Sequence, residues 1–212
     1  MIREPDIETE VRKRGIDALP PWKGMEPILN YYKQSEAAPY PQDSRDTFTL
    51  LFEGGFRRAE AMTIRKSQCG FNDEAVVIRR APVLKKKKPN DNHRDVMIRR
   101  DDRDLLSHEL VNLIIRSKDY LLPGYAPFTH QPQHDRHVSS KTVYNRIREI
   151  SPELFPHALR SFRASFLVWE RGFDLRELVD WFKWESQAGI QMALHYTSQV
   201  DMARKLGIRN LP

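Results

Sequence analysis

The chain has 212 residues, enough for one well-packed domain and too few for a large multidomain enzyme. Hydrophobic residues make up 40% and charged residues 30% of the sequence, which is typical of a folded protein rather than a disordered one. Lysine and arginine outnumber aspartate and glutamate by 35 to 29, and the pI near 9.5 favours an anionic partner such as nucleic acid or a membrane surface.

Two sequence features indicate the compartment. The N-terminal segment MIREPDIETEVRKRG has charges every few residues, and no stretch approaches the ~18 apolar residues of a membrane span. Cys69 is the single cysteine, so the chain forms no internal disulfide and has no cysteine pair for a zinc site. We therefore expect a cytoplasmic, nucleoid-associated protein that does not bind a membrane.

The N-terminal part predicts an arm followed by helices. Residues 1–22 are charged and end in the breaker LPPW, so we expect an arm or linker there and one catalytic-type domain over residues 23–212. A short amphipathic helix is predicted around residues 28–32. A second helix over residues 46–53 is interrupted by two glycines, and helical spacing resumes over residues 57–64.

The middle of the chain predicts a β-hairpin with a long basic turn. β-branched residues occupy 75–78 and 96–98, and a lysine run and a polar turn separate them. A helix with a leucine-rich stripe follows, over residues 105–114. Residues 122–137, which are rich in proline, glycine and histidine, are predicted as a surface loop.

The last third of the chain predicts helices only. Capping serines, periodic apolar residues and terminating glycines place them at residues 139–150, 157–171, 175–184, 187–198 and 201–206. The predicted fold class is therefore mainly α with a small antiparallel β-sheet (α+β).

Two pairs of polar residues stand one helical turn apart. On the helix HALRSF, Leu159 and Phe162 share one face, and His157 and Arg160 point to roughly the opposite side. An imidazole and a guanidinium at this spacing can contact one phosphate together, although a solvated helix side has the same pattern. Arg57 and Glu60 form a second pair, in which the carboxylate can orient an arginine; an ordinary surface ion pair is the alternative.

The order of these pieces resembles the tyrosine recombinase (phage integrase) family over roughly residues 40–200. The catalytic domain of that family opens with glycine and RxxE, matched here by LFEGGFRRAEAM. A hairpin carrying a lysine follows, matched by VVIRRAPVLKKKK with RDVMI. Next come HxxR with an aromatic-rich helix, matched by HALRSFRASFLVWERG, and a GH or GW element before a tyrosine, matched by WFKWESQ and ALHYTSQ.

The resemblance implies a role for each matched residue. Arg57 and Arg160 would hold the scissile phosphate, His157 would assist proton transfer, Trp184 would take the later His/Trp position, and Tyr196 would be the nucleophile. Arg57 is preferred to its neighbour because it alone stands in the RxxE register. Lys85 is favoured as the general acid among the four candidates Lys85, Lys86, Lys87 and Lys88. The sequence departs from the family pattern in having FKW without a glycine, and in a longer interval from Trp184 to Tyr196.

The implied function is site-specific recombination of double-stranded DNA through a 3′-phosphotyrosine, by a homotetramer on DNA, without ATP, metal or other cofactor. Two arginines and an imidazole can neutralise a phosphate without a metal ion. The cluster HxxxHDxH at residues 130–137 has zinc-ligand residue types but lies in the predicted loop. An integrase-like DNA-binding protein without chemistry, and a type IB topoisomerase, remain alternatives.

Overall fold

The computed structural model describes residues 24–83, 93–101, 106–126, 131–184 and 186–205. The predicted arm, the lysine run at 85–88 and His130 lie outside the described residues. The α-helices are α1 (Met25–Gln34), α2 (Pro41–Gly54), α3 (Arg58–Ala61), α4 (Leu106–Arg116), α5 (Ser140–Ile150), α6 (Pro156–Trp169), α7 (Leu175–Phe182) and α8 (Gln187–Lys205). The strands are β1 (Cys69–Phe71), β2 (Ala75–Pro82), β3 (His93–Arg99), β4 (Pro123–Tyr125) and β5 (Pro132–His137).

The helix α2 lies at the centre of the core, and α4, α5 and α6 pack around it. Its second half, Phe48–Gly54, is buried throughout. The helix α6 is buried from Pro156 to Val168 except at His157, which is half-buried. The second half of α2 and most of α6 therefore have no solvent face, and their buried positions include the charged residues Glu53, Arg160 and Arg163.

The sheets confirm the predicted hairpin and add strands to it. The strands β1, β2 and β3 form one antiparallel sheet, in which Val76 pairs with Ile98 and Ile78 with Val96 on the buried face. The β1 strand is only three residues long and contains a glycine, which left no alternating pattern to detect.

The prediction of a loop over residues 122–137 was wrong. Pro123–Tyr125 and Pro132–His137 pair as an antiparallel ribbon, β4 with β5. The segment lacks the β-branched alternation of an ordinary strand, so its backbone pairing was not visible in the sequence. The fold class is confirmed as mainly α with small antiparallel sheets, although there are two sheets rather than one among the described residues.

The predicted break at residues 199–200 was also wrong, because α8 continues as one helix from Gln187 to Lys205. The helical spacing predicted after the glycine bend extends for one turn only, as α3. The remaining helices begin and end within a few residues of the predicted positions, and Ser139 caps α5 by accepting a hydrogen bond from the Thr142 N–H at 3.0 Å.

The helix α7 ends in a left-handed residue. Lys183 has φ 51° and ψ 48°. Its N–H donates to the Asp180 carbonyl at 3.2 Å, and the N–H of Trp184 donates to the Val179 carbonyl at 3.0 Å. A non-glycine residue in this region of backbone space is strained, because its Cβ crowds the following carbonyl.

We therefore expect Lys183→Gly to raise the free energy of unfolding by about 0.5–1 kcal/mol, since glycine adopts this conformation without steric cost. The measurement is urea denaturation at neutral pH. Lys183→Ala is the control, because it removes the same side chain and keeps the strain. Equal stability of the two variants would contradict this explanation.

Candidate active site

Two glycines turn the chain sharply between α2 and α3. Gly55 has φ 54°, and a Cβ built on it would lie 2.6 Å from Cε1 of Phe182. A Cβ on Gly54 would lie 2.0 Å from Cε2 of Phe56. Only glycine fits at either position, and the bend places Arg57 at the start of α3.

The Glu60 carboxylate lies between the two predicted catalytic arginines. Its Oε1 accepts a hydrogen bond from Nη1 of Arg57 at 2.7 Å, and its Oε2 accepts from the Arg57 backbone N–H at 2.9 Å. Nη1 of Arg160 lies 3.5 Å from the same Oε2. One buried carboxylate therefore brings together two arginines that are 103 positions apart in the sequence.

The three side chains of Glu60, Arg57 and Arg160 differ in solvent exposure. The side chains of Glu60 and Arg160 are 1% and 2% exposed, and that of Arg57 is 25% exposed. Burial alone would raise the pKa of Glu60, but the charges of Arg160 and Arg57 outweigh it, and the Arg57 N–H adds to them, so the pKa is lowered. Glu60 is thus anionic at neutral pH, and Arg57 keeps part of its surface open to a ligand.

Arg160 is held from several sides. Its guanidinium donates to the Gly55 carbonyl and, at 3.5 Å, to the Phe182 carbonyl. It also lies over the rings of Phe182 and Trp184, 4.5 Å and 5.6 Å from their centroids. Burial lowers its pKa well below the ordinary arginine value, against the opposing charge of Glu60. Arg160 is therefore not on a solvated helix side, and that alternative was wrong.

A second arginine on α6 has a different environment. Arg163 pairs with Glu53 at 3.1 Å, and both side chains are buried. Its guanidinium lies 4.7 Å from the Phe166 ring centroid. Arg160, and not Arg163, shares a carboxylate with Arg57, as the HxxR register predicts.

Three aromatic rings connect Arg160 to the predicted nucleophile. Phe182 and Trp184 stack with centroids 4.4 Å apart, and Trp184 and Tyr196 with centroids 6.2 Å apart. Gly189 permits this packing, because a Cβ there would lie 2.8 Å from Cβ of Trp184. The helix α8 therefore approaches Trp184 closely and carries Tyr196 onto its ring.

Tyr196 is buried, with 7% of its surface exposed. Its hydroxyl oxygen has no hydrogen-bond partner of normal geometry among the described residues. Burial raises its pKa to about 12, although the nearby Ser161 hydroxyl and the charge of Arg160 both act to lower it. The phenol is neutral at physiological pH and lies within electrostatic reach of Arg160.

The structure thus gathers most of the predicted site residues. Arg57, Arg160, Trp184 and Tyr196 are linked through Glu60 and the aromatic stack, and His157 lies on the first turn of α6, three residues before Arg160. Lys85 lies outside the described residues. Lys183 stands where the family pattern has glycine before Trp184, and it adopts the left-handed conformation that glycine favours.

No group of three or more histidine, cysteine or carboxylate side chains in the described part of the chain is arranged to hold a metal ion. Of the HxxxHDxH cluster, His137 is engaged elsewhere: its Nδ1 lies 2.8 Å from the Val138 carbonyl, and its ring packs edge-on against Tyr120. Nor does any helix of the described residues have the length and apolarity to cross a membrane.

Sequence reasoning missed Arg94, which is 2% exposed and lies in the same cluster. It donates to the carbonyls of Gly54, at 2.7 Å, and Gly55, at 3.3 Å. The signal was present in HRDVMIR, because strict alternation places Arg94 on the same strand face as Val96 and Ile98.

Comparison with solved structures shows that the fold is that of tyrosine recombinases. The chain aligns with XerH, a site-specific recombinase crystallised with a palindromic difH substrate after cleavage, at TM-score 0.60 and 15% identity. This alignment covers 90% of the chain and 53% of XerH, so the chain spans about half the length of that recombinase.

Two further solved structures have the same fold. The XerA recombinase aligns at TM-score 0.59 and 15% identity, covering 89% of the chain and 65% of XerA. A fragment of the Tn1549 transposon integrase (residues 82–397), in complex with circular intermediate DNA, aligns at TM-score 0.51 and 13% identity, covering 93% of the chain and 75% of that fragment. No curated protein matches the chain significantly. The model of the phage integrase family matches residues 23–201, and the chain belongs to that family.

Glu60 offers a test of the charge cluster. We expect Glu60→Gln to lower the free energy of unfolding by about 3 kcal/mol at pH 7, because it leaves buried guanidinium charge without its partner. The measurement is urea denaturation, with Glu149→Gln at an exposed position as the control.

The pH dependence of this loss has a defined sign. Because the folded-state pKa of Glu60 is lowered, its stabilising contribution is complete above the unfolded-state value of 4.5 and is lost as the pH falls through the folded-state pKa. The stability difference between wild type and Glu60→Gln should therefore narrow below pH 4.5. A difference that is constant with pH would show that Glu60 is not stabilised as an anion.

Proposed function

We propose that this domain breaks and rejoins double-stranded DNA in site-specific recombination, with Tyr196 as the nucleophile. One observation carries the proposal: Arg57 and Arg160 converge on Glu60, and Arg160 contacts the ring of Trp184, on which Tyr196 stacks. Membership of the phage integrase family and the recombinase fold support site-specific recombination as the general activity.

DNA is the proposed partner because a phosphodiester fits the charge of the site. Arg57, Arg160 and Arg94 supply three guanidinium charges against the one carboxylate of Glu60, and the whole chain carries a formal net charge of +6. The neighbours XerH and the Tn1549 integrase were both determined with DNA. A homotetramer on DNA is the proposed assembly, since exchange between two duplexes requires four strand cleavages.

The proposed reaction begins at the scissile phosphate. The exposed part of Arg57 receives the phosphate, and guanidinium groups neutralise charge on its non-bridging oxygens as the transition state forms. The oxygen of Tyr196 forms a bond to phosphorus, and the bond from phosphorus to the 5′-oxygen breaks, which leaves a 3′-phosphotyrosine and a 5′-hydroxyl. The phosphate ester is retained, so the reverse attack by a 5′-hydroxyl rejoins DNA without ATP or a metal ion.

Two protons move in this reaction. The phenolic proton of Tyr196 leaves as the oxygen attacks, and His157, which is half-buried on the first turn of α6, is the proposed acceptor. The departing 5′-oxygen receives a proton, and a lysine of the run at residues 85–88 is the proposed donor, with Lys85 favoured. Trp184 supports Tyr196 by stacking against its ring.

The buried state of Tyr196 adds a physical requirement. With 7% of its surface exposed, Tyr196 is too deeply buried to meet a phosphate of duplex DNA from the position it occupies here. Attack therefore requires α8 to shift so that the hydroxyl leaves its buried site. A phosphate held beside Arg160 would then meet the phenol where positive charge lowers its pKa.

Covalent capture tests the proposal. We expect the protein, incubated with a nicked suicide duplex of its recognition site in EDTA, to form a protein–DNA adduct that survives SDS, because release of the cleaved end prevents rejoining. Tyr196→Phe removes the attacking oxygen and should abolish the adduct, and Tyr40→Phe, at an exposed tyrosine, should not. The measurement is gel mobility of labelled DNA, and the site is first recovered by selection from random duplexes.

Other results of the capture experiment would indicate a different activity or a different nucleophile. DNA binding without an adduct in wild type would indicate a DNA-binding member of the family without chemistry. An adduct together with supercoil relaxation and no strand exchange would indicate a topoisomerase. An adduct that persists in Tyr196→Phe would overturn the assignment of the nucleophile.

The two adjacent arginines allow a matched comparison. We expect Arg57→Gln to slow adduct formation by about 10²–10³-fold, the usual effect of removing one donor to transition-state charge. Arg58→Gln should slow it less than tenfold, because Arg58 lies 5.6 Å from the Tyr144 ring and outside the Glu60 cluster. The measurement is the single-turnover rate at saturating DNA, and equal effects of the two substitutions would contradict the role of Arg57.

A further inference from the structure

A third arginine lies at the centre of the site. Arg94 is the second residue of β3, and it points inward with Val96 and Ile98 while His93 and Asp95 point to solvent. An arginine on the buried face of a strand is costly, because its charge leaves water. The fold therefore has to provide Arg94 with partners.

These partners are backbone carbonyls from two separate segments. Arg94 donates through Nη2 to Gly54 at 2.7 Å and to Gly55 at 3.3 Å, and through Nη1 to Trp181. Its guanidinium also lies 5.1 Å and 5.5 Å from the ring centroids of Phe56 and Phe182. One side chain of the sheet thus connects the glycine bend with the end of α7.

Both connected segments lead directly to predicted site residues. Gly55 is followed two residues later by Arg57, and Trp181 is followed three residues later by Trp184. The Gly55 carbonyl also accepts a hydrogen bond from Arg160, so Arg94 and Arg160 share an acceptor. A displacement of Arg94 would therefore change the position of the bend from which Arg57 extends.

The charge of Arg94 also adds to the positive charge of the site. Burial lowers the pKa of Arg94 to about 10, and the charge of Glu60 opposes this effect. The group remains cationic at neutral pH. Its charge adds to those of Arg57 and Arg160 around the single carboxylate of Glu60, although Arg94 itself is too deeply buried to meet DNA.

We propose that Arg94 is a positioning residue: it fixes the backbone of the Gly54–Gly55 bend and the end of α7, and so sets the place of Arg57 and Trp184 relative to Arg160. The inference rests on the proposed function, in which these residues hold the phosphate and support Tyr196. A planar guanidinium suits this role, because it directs several N–H groups to separate carbonyls at fixed angles, which an ammonium group does not do.

The test compares Arg94→Lys with Arg99→Lys, which makes the same change at an arginine on β3 whose side chain is 78% exposed. We expect Arg94→Lys to slow single-turnover adduct formation at saturating DNA by about 100-fold, as expected when reacting groups are misplaced by about 1 Å. Its dissociation constant for DNA should rise by a much smaller factor, no larger than the one that Arg57→Gln causes. A loss of rate that exceeds the loss of affinity separates positioning from general loss of structure, and Arg99→Lys should leave the rate unchanged.

The result that overturns the inference is equally specific. A cleavage rate for Arg94→Lys within threefold of wild type would do so, and so would a loss of rate that matches the loss of folded protein in a urea titration. If Arg94→Lys does not fold, Arg94→Gln replaces it, because glutamine removes the buried charge and keeps two N–H donors for the carbonyls. The same rate criterion then applies to Arg94→Gln.

A second measurement keeps the inference separate from the proposed chemistry. DNA affinity is measured for Arg57→Gln in the wild-type background and in the Arg94→Lys background, which needs no cleavage. If Arg94 positions Arg57, the Arg57→Gln substitution should weaken binding by a smaller factor in the Arg94→Lys background; equal factors would overturn the inference. Absence of an adduct in wild type would reject the proposed function and leave this comparison valid.

Discussion

The site depends on one buried negative charge. Glu60 is 1% exposed and faces Arg57 and Arg160, while Arg94 contributes a further positive charge nearby. Removing charged groups from water is costly, so the arrangement depends on pairing the guanidinium groups with Glu60 and on their hydrogen bonds to backbone carbonyls, although Nε of Arg94 has no hydrogen-bond partner among the described residues. The carbonyls of Gly54 and Gly55 make some of these bonds, which is why the glycine bend and the charge cluster form one unit.

This unit has more positive than negative charge, and the imbalance is informative. A structural ion-pair network gains by matching its charges, whereas a site for an anion gains by leaving positive charge to be neutralised by the ligand. Arg163 with Glu53 and Arg146 with Asp43 are matched pairs elsewhere in the described chain. The contrast between these pairs and the Glu60 cluster supports a phosphate as the missing negative charge.

Tyr196 shows a tension between stability and reaction. Stacking on Trp184 and burial of the ring stabilise the domain, but they also leave the hydroxyl without a hydrogen-bond partner of normal geometry, and burial raises its pKa. An unsatisfied buried hydroxyl costs free energy, so exposing the phenol recovers part of what unstacking the ring loses. The hydroxyl of Tyr196 therefore occupies a position from which exposure is less costly than the burial of its ring suggests.

The sequence by itself determined the helices, the central hairpin and the RxxE and HxxR registers, because these depend on periodicity and on neighbours within one turn. It also contained the alternation that turns Arg94 inward. Only the tertiary structure decided that Glu60 serves Arg57 and Arg160 together, that Pro123–Tyr125 pairs with Pro132–His137, and that α8 continues past residue 200. It likewise decided that Tyr196 is buried against Trp184. These features depend on contacts between residues far apart in the chain. The free energy of such contacts outweighs the local secondary-structure propensity of the segments, and the contacts leave no periodic pattern in the sequence.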